Sequence, residues 1–234
     1  MLLSLLLYGS RARGDHRLRS DVDLLGIVEN GAIGKEVAAR GSSFYHYPLP
    51  SLIKGATNGD LFVSHLVHEA KVLHDTVDIF KRVQASFRWR DSYRDERRNS
   101  KIIIRFITDR PDSLTKPAVR KRLVWAIRTL IISTAAEQKI PIFGSKDLSS
   151  FVSMPYLKGV IEMRNTIEVD DLIAAAKAVS DSLGSETRLM WPIRKHAQAA
   201  YMFRAGGILA STAQMIEPRL MIDETEARQI DYPI

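Results

Sequence analysis

Asp21 and Asp23 stand one residue apart in Ser20-Asp21-Val22-Asp23-Leu24-Leu25, an alternating run that turns apolar at Ile27-Val28. That pattern predicts a strand over 20–28. Residues i and i+2 of a strand project from one face, so the two carboxylates converge. Paired carboxylates are hard oxygen donors suited to Mg²⁺, and such ions can hold a triphosphate and acidify an attacking hydroxyl. Ten residues separate the pair from Gly9-Ser10, which follows the apolar run Leu2-Leu3-Ser4-Leu5-Leu6-Leu7-Tyr8. Gly9 lets the backbone approach a phosphate closely. Ser10 is placed to start a short helix whose free N–H groups favour an anion. The chemistry implied is transfer of a phosphate-bearing group.

These residues, Tyr8-Gly9-Ser10-Arg11-Ala12-Arg13-Gly14-Asp15 and then Ser20-Asp21-Val22-Asp23-Leu24-Leu25, closely resemble a known signature. It is that of the DNA polymerase β-like nucleotidyltransferase superfamily, in its small bacterial branch of minimal and kanamycin nucleotidyltransferase-like enzymes. The likeness covers roughly the first third of the chain and continues weakly through Gly59-Asp60-Leu61-Phe62 and Val72-Leu73-His74-Asp75. It implies an enzyme that moves a nucleoside monophosphate from a nucleoside triphosphate to an acceptor hydroxyl. Asp21 and Asp23 would hold two Mg²⁺ ions, with Mn²⁺ as a substitute, while Gly9, Ser10 and Ser20 would shape the nucleotide site.

Arg11 and Arg13 flank that site, and a guanidinium can grip phosphate bidentately. Active relatives also carry a third carboxylate on the next strand, where this chain reads Phe44-Tyr45-His46-Tyr47. His46 is the candidate replacement, as metal ligand or base. Its alternative is packing beside the tyrosines. Glu69 is expected to face solvent, although it could lend a distant carboxylate. The missing acid leaves open a nucleotide- or nucleic-acid-binding module of weakened catalysis.

The elements that position these residues follow from periodicity. Apolar 2–8 predicts a first strand ended by a glycine turn, and 42–49, closed by Pro48, predicts a third. Asn58-Gly59-Asp60 opens a helix bearing Phe62, Leu66 and Ala70 on one face. Beyond Asp75 the period becomes helical. Val77, Phe80, Val83 and Phe87 form one stripe, Ile102, Ile103, Phe106 and Ile107 another, with a break at Asp109-Arg110-Pro111-Asp112. Pro117 starts a helix carrying Val119, Leu123, Ala126, Ile127 and Leu130. Weaker helices are expected near 156–165, 170–183 and 188–205. The fold class expected is α+β: a small mixed-sheet nucleotidyltransferase domain over 1–75, an all-helical acceptor- or partner-binding domain over 76–216, and an acidic tail over 217–234.

The chain has 234 residues, 45% of them hydrophobic and 26% charged, which excludes wholesale disorder. It lacks cysteine, so disulfides, thiolate zinc sites and cysteine nucleophiles are excluded. The apolar start has no basic n-region or small-residue cleavage site, and no run is long enough to span a bilayer. A cytoplasmic protein without a membrane role is expected.

The formal charge of +7 sits in one place: residues 76–130 hold fifteen Lys and Arg against six Asp and Glu. Arg90, Arg94, Arg97, Arg98 and Lys101, interleaved with Phe87, Trp89 and Tyr93, and then Arg120, Lys121 and Arg122, are the candidate acceptor-binding residues. Arginines among aromatics suit nucleic acid. The acceptor expected is therefore RNA, such as a tRNA 3′ end. A partner toxin, adenylylated by an antitoxin-type enzyme, is the alternative. Arg188 and Arg194 stand at the wrong distances from His196 for the ribonuclease module that often accompanies such enzymes.

Overall fold

A computed structural model describes residues 1–18, 20–39, 42–184, 191–192 and 194–218, with the backbone alone at 35–39. It is a mixed α and β protein that divides into two compact units. Unit 1 comprises Met1–Tyr93 with Ala135–Asp147, and unit 2 comprises Arg94–Thr134 with Leu148–Ile234.

Unit 1 is built on β1 (Leu2–Tyr8), β2 (Val22–Val28), β3 (Gly34–Ala39), β4 (Ser42–Pro48) and β5 (Lys71–Asp75). They form one sheet in the order β3-β4-β2-β1-β5. β2 runs antiparallel to β1 and parallel to β4, while β3 and β5 are antiparallel additions. Leu6 pairs with Leu25 and Tyr8 with Asp23. The side chains of one face therefore change from apolar to acidic as β2 is followed back towards its start. Helices α2 (Leu49–Thr57), α3 (Leu61–Glu69) and α4 (Ile79–Ser86) contribute to the core of this unit. Leu6, Leu25, Ile27, Leu52 and Leu66 are fully buried there; each such side chain stabilises by about 1.5–3 kcal/mol over an exposed one.

Sequence periodicity anticipates β1, β2 and β4, but two local features depart from it. The run Gly34-Lys35-Glu36-Val37-Ala38-Ala39 has no alternation and yet forms the edge strand β3. Pro48 ends β4 as expected, but it also caps α2, whose Pro50 sits in the first turn where no N–H partner is needed. The helix after Asn58-Gly59-Asp60 forms because the Asp60 carboxylate accepts the N–H groups of Phe62 and Val63. Gly59, at φ 62°, lies against Arg88, whose carbonyl oxygen a Cβ would meet at 2.6 Å.

The expected boundary near Asp75 gives way to one at Tyr93–Arg94. The reason is local: Asp75 caps α4 through Ile79 and Phe80, and α4 buries Ile79, Phe80 and Val83 in the unit 1 core. The returning segment closes the same unit. Glu137 accepts hydrogen bonds from the Tyr93 N–H and the Ser92 hydroxyl, and the Phe143 ring stacks on His65.

Unit 2 has only helices as regular elements among its described residues. It holds α5 (Arg94–Thr108), a 3₁₀ turn (Pro111–Thr115), most of α6 (Pro117–Glu137), part of α7 (Ser145–Phe151), α8 (Leu157–Glu162), α9 (Val169–Ser182), α10 (Lys195–Ala205) and α11 (Gly207–Ile216). Ile102, Ile103, Phe106, Ile107, Leu123, Ile127 and Leu130 are fully buried, as the apolar stripes predict. Of the helix expected over 188–205, α10 accounts for Lys195–Ala205, while 185–190 and 193 lie outside the described residues; α7 and α11 are additional.

The buried Arg110 is the polar anchor of this unit. It donates to the carbonyls of Phe106 and Lys195, to Gln198 Oε1 and to Glu217 Oε1. Glu217 thus belongs to the packed unit rather than to a loose tail, and 219–234 lie outside the described residues. Among the described residues, no helix is long and apolar enough to cross a membrane.

Candidate active site

β1 ends at Tyr8, and Gly9 then turns the chain at φ 73° into α1 (Ser10–Arg13). The Gly9 carbonyl accepts the N–H groups of Ala12 and Arg13, which winds this single turn. Because Tyr8 and Asp23 are paired across β1 and β2, the turn lies over the start of β2. A Cβ at Gly9 would stand 2.8 Å from Asp23 Oδ2. The two halves of the motif are therefore in contact. Ser43, paired with Asp23 on β4, donates its hydroxyl to Oδ1 at 2.9 Å. Asp21 is exposed, just before β2 begins.

The parallel register also decides the third strand. Ser43 shares the face of Asp23, and by alternation so do Tyr45 and Tyr47, which pack against the core. His46 pairs with Gly26 and points to the opposite face, where it meets Phe44 edge-on at 4.5 Å. His46 is therefore corrected from catalytic candidate to packing residue. It lies on the wrong side of the sheet to join Asp21 and Asp23.

The two arginines are committed within the protein. Arg11 donates twice to the Ser20 carbonyl, and the Ser20 hydroxyl accepts the Arg17 N–H, so both residues shape the loop into β2. Arg13 donates to Asp15 and to Glu69 Oε2, the latter at 2.8 Å. His65 Nε2 also lies 2.8 Å from Glu69 Oε2. Glu69, expected at the solvent, is instead the mostly buried centre of this cluster. Burial pulls the Arg13 pKa down, but the hydrogen bonds it donates to Glu69 and Asp15, with the charges of those carboxylates, outweigh it, and the net shift is upward. Arg13 braces α1 against α3. Gly144 completes the wall, since a Cβ there would approach Asp15 Oδ2 at 3.1 Å and Asp147 Oδ2 at 3.2 Å.

Burial, then the nearby charge of Asp23, then Tyr45 and Tyr47 hold the Tyr8 phenol well above its ordinary pKa. The donor set at Asp21 and Asp23 is hard oxygen, and Asp23 is oriented by Ser43 and Gly9. Among the described residues no group of three His, Cys, Asp or Glu side chains gathers as a metal cage. Carboxylate oxygens are the donor type Mg²⁺ prefers, so Asp21 and Asp23 are the residues that could hold such an ion.

The acceptor candidates separate by burial. Arg94, Arg98 and Lys121 are exposed, and Arg90, Lys101 and Arg122 are partly so. Arg98 donates to the Tyr201 hydroxyl, and Lys101 to the Gly184 carbonyl. Arg90 lies over the Tyr93 ring and belongs to unit 1. Arg97 and Arg120 are buried, and Arg120 is bound to the carbonyls of Arg164 and Ile167. Those two are corrected from surface contacts to structural residues. Sequence reasoning missed Trp125, a half-exposed indole in a helix read for its apolar stripe.

No family model matches the chain, and no curated protein matches it either.

Proposed function

We propose that the protein is a metal-dependent nucleotidyltransferase of α+β architecture. The observation that carries this is the contact between the Gly9 turn and Asp23 Oδ2, which gathers the glycine turn and the acidic strand start at one end of the sheet. The resemblance of the motif points the same way. A nucleoside triphosphate would lie along Gly9-Ser10, with Asp21 and Asp23 facing its phosphates.

Asp21 and Asp23 are the residues that would hold Mg²⁺ or Mn²⁺. The metal, when bound, supplies charge neutralisation to the triphosphate and acidity to the acceptor hydroxyl. Ser43 orients Asp23, Arg11 holds the loop before Asp21, and Arg13 with Glu69 keeps α1 in place. The contribution of the chain is then positioning of the reacting groups, which can account for a large share of a barrier. The acceptor favoured is nucleic acid, because the excess charge lies in residues 76–130. A cysteine-free chain suits a reducing compartment, and the cytoplasm is the location proposed.

The test is transfer from each of the four labelled nucleoside triphosphates to total RNA or to lysate protein. Asp21→Asn with Asp23→Asn should abolish it, with His46→Ala as the variant expected to retain it. Undiminished transfer by the double variant overturns the assignment. A second reading, a nucleotide-binding module of reduced chemistry, is favoured by Ser43 and Tyr45 standing where a third carboxylate is expected. Mg²⁺-dependent nucleotide binding without transfer to any acceptor would select it.

A further inference from the structure

Between Pro117 and Ala136, helix α6 carries Arg120, Lys121, Arg122 and Arg128 and no Asp or Glu. Burial removes Arg120 from the surface. The other three surround Trp125, which follows Lys121 by four residues and Arg122 by three and precedes Arg128 by three. Those spacings place side chains on one helix face. The indole is 41% exposed, the only tryptophan among the exposed large hydrophobic residues described.

Arg122 is fixed beside it. Its Cζ lies 5.6 Å from the indole ring, and its Nη2 donates to Ser211 Oγ at 3.2 Å. No carboxylate offsets the half-burial of this guanidinium among the described residues, and burial alone pulls its pKa down. Arg13 is the contrast, since two carboxylates answer its charge. A half-buried cation short of counter-charge, next to an open aromatic face, suits an anion linked to a planar ring.

We propose that this face of α6 is a docking surface for single-stranded nucleic acid, with one base stacked on Trp125 and neighbouring phosphates on Lys121 and Arg122. Charge complementarity selects the occupant: a helix face with several cations and no acid attracts a polyanion. Strandedness follows from the indole, because duplex bases already stack on one another and offer it no face. As the acceptor site of the proposed reaction, the surface rests on the reading above. As a binding surface, it is measured without transfer.

The experiment is fluorescence anisotropy of a labelled oligouridylate with the full chain. Trp125→Ala should weaken binding by about 5- to 100-fold, and Trp125→Phe should keep most of it. Lys121→Gln should weaken binding and flatten its salt dependence by about 0.7 in log–log slope for the phosphate no longer neutralised. The Asp21→Asn, Asp23→Asn protein should bind like the parent, so loss of docking and loss of transfer are told apart. In a Trp89→Phe, Trp191→Phe protein, the oligonucleotide should quench the remaining tryptophan even if Trp125→Ala fails to fold. Unchanged binding by folded Trp125→Ala, absence of quenching at saturation, or equal affinity for a duplex overturns the proposal.

Discussion

A Cβ on Gly9 would sit 2.8 Å from Asp23 Oδ2, so the turn that closes β1 rests directly on a candidate metal-binding carboxylate. The backbone there is at φ 73°, a left-handed conformation that side chains resist. Space and conformation both require glycine. Gly9→Ala should cost about 1–3 kcal/mol of stability and weaken nucleotide binding by pushing Asp23 aside. Urea denaturation alongside nucleotide titration checks both effects.

Arg13 and Glu69 are predicted to be energetically coupled. Their side chains are only 16% and 13% exposed and meet at 2.8 Å. A double-mutant cycle with Arg13→Met and Glu69→Gln should return a coupling of about 1–2 kcal/mol. Arg13→Lys should recover little, since an ammonium cannot span Asp15 and Glu69 as the guanidinium fork does. Denaturation of the four proteins measures the coupling.

Alkaline stability should depend on Tyr8. Its folded pKa is raised above 10.0, first by burial and then by the charge on Asp23. The unfolded chain therefore releases this proton first as pH climbs. Stability is whole below pH 10 and is lost as pH rises from there through the higher folded pKa. Tyr8→Phe should fall less steeply over that range, and Asp23→Asn should lower the pH at which tyrosinate absorbance develops. Denaturation at a series of alkaline pH values and ultraviolet titration test the two halves.

Arg110 should be the most costly charged residue of unit 2 to remove. It is 7% exposed and joins α5 to Lys195, Gln198 and Glu217. Arg110→Met leaves Glu217 without its partner and should destabilise by about 3–5 kcal/mol. Urea denaturation followed by circular dichroism reads the loss.

Strong local signals are legible in the sequence. The acidic strand, the glycine turn before it and the Asp60 cap each announce themselves through chemistry confined to a few residues. What stays hidden depends on partners far along the chain. The face that His46 occupies is set by the register of Ser43 against Asp23, which no local pattern around the histidine carries. Glu69 reads as a surface acid until Arg13 and His65 are brought to it. Arg97 and Arg120 sit in a basic run whose charge says nothing of burial. Strand β3 has no alternation to betray it, and it forms by pairing with β4.

The returning segment 135–147 also bears on how the protein comes into being. Phe143 is 3% exposed and lies flat on His65 at 4.7 Å, and Glu137 ties down Tyr93. A ribosome delivers the whole sheet by Asp75 but releases these last pieces only after α5 and most of α6 have been synthesised. During that interval the His65 ring and the Arg13–Asp15 pair lack their final cover. The newborn chain thus finishes its sheet-bearing unit only after the first stretch of the helical unit has been made.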